Sequence, residues 1–324
     1  MIIEYFIPPA AQSRGGIDLA VNGMRGALQG DHEITLRFEG SPHPDTELVH
    51  FHGLWNANHL LAYRECQRRS LPYVISPHGM LEPWAYRSKR WKKWPWMMLL
   101  GRRHFNQAAS VLATSKMEAA NLRPFAKRID TAPLGLNEDP SFGRDEARRT
   151  LGIDEGQKII LYLSRIDRKK GLDLLVKAMD EIHGWELWIV GDGDEEFAAE
   201  LKSKSCERVR WLDPAWEEDR WIYLLAADLF CLPTHSENFG FAILEALWSG
   251  TPTLTTTKTP WEAHRDVDGL HICEDNLDSL RSKLLSLLPD LPRPESLKDW
   301  ARDNFHWDRV AADYDRIYLK AATR

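Results

Sequence analysis

Cysteine is scarce in this 324-residue chain, and the four present, Cys66, Cys206, Cys231 and Cys273, are scattered without a C-x-x-C pair. That spacing favours core thiols over a metal site or a disulfide framework. No apolar run reaches the roughly eighteen residues that a membrane-spanning helix needs. Low-complexity tracts are missing as well, and a composition of 43% hydrophobic and 28% charged residues is that of a globular protein. The patterns G-x-S-x-G, H-E-x-x-H and G-x-x-x-x-G-K-[ST] do not occur, which removes the obvious hydrolase and ATPase readings. The start, Met1-Ile2-Ile3-Glu4-Tyr5-Phe6-Ile7-Pro8-Pro9, has no basic leader before its short apolar run. It predicts a buried first strand, not a signal peptide, and a cytoplasmic protein.

The formal net charge of −6 is shared unevenly: residues 1–139 carry 17 basic and 13 acidic side chains, whereas 140–324 carry 25 and 35. Much of the positive charge lies in residues 87–103, which hold seven Lys or Arg, no acid, and Trp91, Trp94 and Trp96 beside Met97-Met98-Leu99-Leu100. Basic heads with interleaved Trp suit peripheral contact with an anionic membrane at its inner face. The competing reading is a solvated basic helix whose Trp residues pack inward. Nucleic acid is disfavoured, because the acidic balance repels a polyanion and no nucleic-acid module is recognisable.

The length is natural for two domains of about 150 residues each, with a cleft between them. Short apolar runs alternate with longer amphipathic stretches, the pattern of α/β layering with mainly parallel strands. Strands are expected at 2–7, 34–38, 48–51, 73–75 and 110–113, then at 158–163, 186–190, 209–211, 229–232 and 253–255. Helices are expected at 18–29, 55–69, 94–108, 116–123, 171–182, 195–204, 217–226 and 241–249. Pro, Gly and Asn crowd residues 131–140, which marks a linker. The predicted domains are therefore 1–139 and 140–305, with a last helix near 306–324 crossing back to brace the first.

In open parallel sheets ligands bind beyond the carboxyl ends of strands, so the loops there matter most. Ser236-Glu237-Asn238-Phe239-Gly240-Phe241-Ala242-Ile243-Leu244-Glu245-Ala246 follows an apolar strand. A helix starting near Asn238 or Phe239 would turn its unpaired amides and positive dipole end towards an anion, and Gly240 would admit that anion close to the backbone. A diphosphate fits there. Glu245 would lie roughly 9–10 Å further along the axis, leaving Glu237 and Glu245 to accept from the hydroxyls of two different sugars. The bland alternative is an ordinary amphipathic helix with a polar entry turn and Gly250 as its stop.

The strand at 158–163 runs into Ser164-Arg165-Ile166-Asp167-Arg168-Lys169-Lys170-Gly171. Arg165 can grip phosphate oxygens through two parallel bonds and Lys170 adds a compact second charge, enough to steady a departing diphosphate without a metal. A solvated basic turn is the simpler alternative. Gly15-Gly16 follows the first strand and can bring amides beside a phosphate or sugar. His78, in Ser76-Pro77-His78-Gly79-Met80 after the fourth strand, can contact a reacting hexose, although lone histidines are more often structural. Gly191-Asp192-Gly193-Asp194 lacks the full dinucleotide spacing and reads as a turn, not a metal or nicotinamide site.

With Arg165, Lys170 and the Glu237/Glu245 pair in one half, the chain resembles the retaining glycosyltransferases of family four, whose GT-B fold sets two Rossmann-like domains facing each other. Most of the chain is covered. The most specific part is the E-x7-E segment from Glu237 to Glu245 continuing through Gly250-Thr251-Pro252, with the Arg165…Lys170-Gly171 loop next. The resemblance implies that Glu237 contacts the transferred sugar, Glu245 holds the nucleotide ribose, and Arg165 and Lys170 bind the donor diphosphate. It also implies that Gly15 and Gly16 form a donor-side glycine loop, that Asn238, Phe239, Gly240 and Phe241 contact the donor, and that His78 stands beside the reacting sugar. Ser76 to Trp84 and Thr259 to Glu262 look similar to bacterial members that build surface polysaccharides and lipopolysaccharides, which suggests a glycan or lipid-linked acceptor. Lys258-Thr259-Pro260-Trp261 stands where many members have a glycine-rich loop, and Ser164 replaces a frequent glycine. The activity so implied is transfer of a hexose from a nucleotide-diphosphate sugar with retention, needing no cofactor and no metal. The rivals are an epimerase or hydrolase of sugar nucleotides on the same architecture and a non-catalytic nucleotide-sugar-binding partner.

Overall fold

The computed structural model describes residues 1–8, 16–87, 97, 101–216 and 218–323. Gly15 and most of the basic, Trp-rich stretch 87–103 lie outside them. The chain divides into two compact units, residues 1–137 with 304–324 and residues 138–303.

The first unit is built on six parallel strands in the order β2-β1-β3-β4-β5-β6: β1 (Ile2–Phe6), β2 (Glu33–Arg37), β3 (Leu48–His52), β4 (Tyr73–Ser76), β5 (Ser110–Ala113) and β6 (Ile129–Thr131). Residues of β3 and β4 are buried throughout, as strands covered on both faces require. Phe6, Val49, Phe51, Tyr73, Ile75 and Val111 form the apolar core. Helices α1 (Gly16–Leu28), α2 (His59–Arg69), α3 (Pro83–Arg87), α4 (Arg102–Gln107) and α5 (Lys116–Leu122) connect them. The second unit repeats the plan in the order β12-β11-β10-β7-β8-β9: β7 (Ile159–Leu163), β8 (Glu186–Val190), β9 (Val209–Leu212), β10 (Leu229–Leu232), β11 (Thr253–Thr256) and β12 (Leu270–Cys273). Its helices are α6 (Arg144–Thr150), α7 (Leu172–Ala178), α8 (Glu195–Lys204), α9 (Asp219–Ala226), α10 (Phe241–Trp248), α11 (Leu277–Leu287) and α12 (Ser296–Phe305). Every strand pair among the described residues is parallel. Cys66, Cys231 and Cys273 are buried free thiols and Cys206 is partly exposed. Among the described residues no helix is long and apolar enough to cross a membrane.

The last helix, α13 (Trp307–Ala322), belongs to the first unit. A backbone bridge leads into it: Leu136 N–H donates to Phe305 O at 2.9 Å and Trp307 N–H to Leu136 O at 3.1 Å. Its apolar stripe, Trp307, Val310, Tyr314, Ile317, Tyr318 and Ala321, is buried at helical spacing. Trp307 fills the notch left by Gly23 of α1, where an added Cβ would lie 2.8 Å from the indole Cζ2. Gly-to-Ala in a helix interior ordinarily stabilises by about 1 kcal/mol. Here the indole is rigid and buried, so Gly23→Ala is expected to lower stability by about 1–3 kcal/mol through overpacking. Chemical denaturation of the variant checks this, and a stabilised Gly23→Ala would show that α13 does not pack on α1 as described.

Candidate functional site

Three loops converge at the carboxyl edge of the second unit's sheet, following β7, β10 and β11. The first is fixed from both sides. Ile166 N–H donates to Asp192 O at 2.7 Å and Asp194 N–H to Ile166 O at 2.9 Å, a bridge that needs Gly191 and Gly193 at φ 151° and 153°. The Gly191–Asp194 turn is thus a buttress for the Arg165 loop, and Asp194 also caps α8 by accepting from Phe197 N–H at 3.0 Å. At the other end Gly171, at φ 68°, packs against the carbonyl oxygen of Pro233, where any Cβ would collide. Lys169 O accepts from His235 N–H at 2.8 Å and from the Thr234 hydroxyl at 3.0 Å.

This stitching places Lys170 on Glu237. The ammonium donates to Oε2 in an ion pair whose side chains are 12% and 11% exposed. Burial by itself raises the Glu237 carboxyl, but the ammonium groups of Lys170 and Lys169 and the Asn238 N–H outweigh it, and the net pKa is lowered. Arg165 on the same loop is exposed, its carbonyl held by the Tyr162 hydroxyl at 3.0 Å. Its guanidinium takes part in no ion pair among the described residues.

Of the two starts expected for this helix, Phe241 is the observed one, and the start near Asn238 or Phe239 is corrected. Gly240 sits at φ 85°, ψ 67°, a left-handed N-cap through which a right-handed helix cannot run continuously. Asn238 and Phe239 therefore belong to the entry turn. Asn238 N–H faces Glu237 Oε1 at 3.2 Å, and Phe239 is buried with its carbonyl accepting from the Trp261 indole at 2.6 Å. Trp261 is the residue that makes a loop without glycines workable at 258–261: it is 2% exposed and lies on Phe239 with ring centroids 5.7 Å apart. The first N–H groups bonded back to Gly240 O are those of Ile243 and Leu244 at 3.0 and 3.1 Å. The amides at the open end of the helix are thus those of Phe241 and Ala242.

Glu245 lies in the part of α10 that is buried all round, Ile243 to Trp248, and is 4% exposed. Its Oε1 is 3.0 Å from Nε of Arg220 on α9, and Arg220 also pairs with Glu138. Burial raises the Glu245 carboxyl, Arg220 pulls it down, and Glu138 pushes it up again, with a net upward shift. Sequence reasoning missed Arg220: the only local signal is a cation beside Asp219 in the first turn of a helix that is apolar from Trp221 onward.

In the first unit His78 follows β4 in a left-handed conformation, φ 50°, next to Gly79 at φ 74°. Buried Glu118, also missed from sequence, accepts from Gly79 N–H at 2.8 Å and from Thr114 N–H at 2.7 Å, and so holds this turn against α5. His78 Nε2 meets Nδ1 of His52 at 3.0 Å, and the rings stack at 5.3 Å. Behind them His50 contacts the hydroxyls of Tyr318 on α13 at 2.7 Å and of Ser76 at 2.8 Å. Among the described residues His52 Nε2 is buried without a partner, which favours the proton on Nδ1 and makes His52 the donor to His78. Gly16 is the exposed first residue of α1, while Gly15 lies outside the described residues.

All three rings are kept neutral by burial: His78 is lowered to about 4, and His50 and His52 are lowered well below the usual range, with neighbouring histidines adding to the effect. In the unfolded chain they protonate near pH 6.5, so their contribution is complete above that pH and is lost as pH falls towards the folded values. Urea titrations should show stability falling between pH 7 and pH 5 by on the order of 1–2 kcal/mol per buried ring. A flat profile would mean that the rings are not held neutral.

Family models match along most of this length: "Glycosyl transferases group 1" over residues 143–304 and "Glycosyltransferase Family 4" over residues 34–139. The chain is 34% identical over 167 residues to a D-inositol 3-phosphate glycosyltransferase of Pseudarthrobacter chlorophenolicus, covering 46% of this chain and 40% of that protein. Its matches to several such curated relatives span about half their length or less. Among solved structures, sucrose-phosphate synthase of Thermosynechococcus elongatus superposes with a TM-score of 0.81 at 19% identity, over 98% of both chains. Anabaena Alr3699/HepE, solved with UDP-glucose, gives 0.78 at 15% identity over 100% of both. These likenesses show the fold, which is GT-B.

Proposed function

The chain belongs to the group 1 glycosyl transferases, and from that premise we propose that it moves a hexose from a nucleotide-diphosphate sugar to a glycan or lipid-linked acceptor, with retention at the anomeric carbon. One observation carries this reading: the Lys170–Glu237 pair and the buried Glu245 stand at two ends of one short segment, beside the open end of α10. Each part then has a chemical task. Arg165, exposed on its braced loop, and Lys170, with N–H donors beyond the one given to Glu237, neutralise the diphosphate together with the Phe241 and Ala242 amides. Glu237, kept ionised by its two ammonium neighbours, accepts from hydroxyls of the hexose. Glu245 accepts from the ribose, and His78 contacts the reacting sugar.

In the transfer the bond from the anomeric carbon to the diphosphate oxygen breaks and a bond to the acceptor oxygen forms on the same face. The acceptor's proton passes to the departing phosphate, giving a nucleoside diphosphate and a glycoside. Fixed positive charge aimed at the leaving group lowers the barrier without a metal. The relative solved with UDP-glucose supports a uridine donor, and the basic, Trp-rich stretch 87–103 supports an acceptor at an anionic membrane, as in bacterial surface polysaccharide or lipopolysaccharide synthesis.

Incubation with UDP- and GDP-hexoses, with and without chelator, tests the reading. Product anomers that match the donor, formed equally in EDTA, are expected; inversion or donor consumption without an acceptor would overturn it. Arg165→Ala should lower turnover by about 10²–10³-fold, whereas Glu245→Ala should weaken nucleotide binding by on the order of tenfold. Unchanged behaviour of both variants would remove the assignment.

A further inference from the structure

We propose that Arg220 is a positioning residue for the nucleotide: its guanidinium keeps the Glu245 carboxylate ionised and oriented so that both oxygens can accept from a ribose diol. The inference rests on the reading of Glu245 as the ribose contact.

Arg220 is itself 8% exposed and is fixed on several sides. Its Nε lies 3.0 Å from Glu245 Oε1, its Nη2 donates to Glu138, and its Cζ lies 5.0 Å from the ring centroid of Trp221. A planar guanidinium held in this way transmits its orientation to whatever carboxylate it pairs with, which an ammonium on a flexible stem does less well. Glu138 is half exposed, so its charge is partly solvated, while that of Glu245 is not. The stronger electrostatic demand on Arg220 therefore comes from Glu245.

Among the described residues the charges against α10 are few. Arg220 and Glu138 act on Glu245, and further along Asp139 takes the Trp248 indole N–H at 3.1 Å and is paired with Arg302. Burial favours the neutral acid at Glu245 and Glu138 favours it too, so Arg220 is the group that opposes protonation. A protonated carboxyl keeps one good acceptor and turns the other oxygen into a donor, which suits a pair of ribose hydroxyls poorly.

Nucleotide affinity of the full chain, measured by calorimetry with UDP, GDP and ADP across pH, separates the possibilities. The wild type should bind its preferred nucleotide evenly from about pH 7 to 8.5, well above the usual carboxyl range. Arg220→Met should bind about tenfold more weakly at neutral pH and recover as pH rises, because Glu245 then ionises only under more alkaline conditions. Arg220→Lys should keep the charge and lie between the two. Combined with Glu245→Gln, Arg220→Met should add no further loss, the signature of one residue acting through another. Glu138→Gln gives an arm that leaves Arg220 in place: it should move the acid limb of binding to lower pH. Wild-type, pH-independent affinity in Arg220→Met, additive losses in the double variant, or an unmoved acid limb in Glu138→Gln would each overturn the proposal. Undiminished binding by Glu245→Gln alone would instead overturn the ribose assignment beneath it.

Discussion

The approach of Gly171 to the carbonyl of Pro233 is the constraint on which the second unit's site depends. A side chain at residue 171 would push the loop after β7 away from the loop after β10, and with it would go the bonds from Thr234 and His235 to Lys169 O. Those bonds set the height of the next residue, Lys170, over Glu237. A desolvated ion pair of this kind is weak evidence for stability, because removing two charges from water offsets most of their attraction. Its value here is positional. It holds a cation with spare donors at the edge where β7 and β10, neighbours in the sheet, end side by side.

The two glutamates of the segment are buried to similar degrees yet shift in opposite directions, and the difference is the local count of cations. Glu237 is answered by two ammonium groups and a backbone N–H, which outweigh desolvation. Glu245 is answered by one guanidinium that it shares with Glu138, which does not. One carboxylate is thus firmly ionised while the other depends on a single partner, although seven residues between them form one continuous turn and helix.

The first unit solves a different problem, a row of polar rings inside a parallel sheet. Tyr5, His50, Ser76 and Tyr318 satisfy one another, and His52 reaches His78. Part of this network comes from α13, the last helix in sequence, whose Trp307 closes against Gly23 and Gly135. A strained backbone at His78 persists because Glu118 clamps the adjacent Gly79 amide from a third element.

Much of this was legible in the chain. All ten expected strands coincide with observed ones, since buried parallel strands write themselves as short apolar runs. The two not expected, β6 and β12, are short edge strands, β6 partly exposed and β12 only partly buried at its centre, and they carry Asp130 and His271 where an interior strand would be apolar. Helices α3, α6, α11 and α12 were also missed, although Asn276 caps α11 through Ser279 N–H and leaves a visible signal.

By itself the sequence determined the α/β layering, the loops that carry charge and the spacing of Glu237 and Glu245, because each follows from residues close together in the chain. The tertiary structure alone decided that Lys170 meets Glu237, that Arg220 answers Glu245 and that Tyr318 reaches His50 from 268 residues away. It also decided between the two starts expected for α10, near Asn238 and at Phe241, since Gly240 takes its left-handed conformation where Trp261 binds the preceding carbonyl. Such pairings are set by strand order and loop contact, which bring together groups whose separation along the chain carries no periodicity to read.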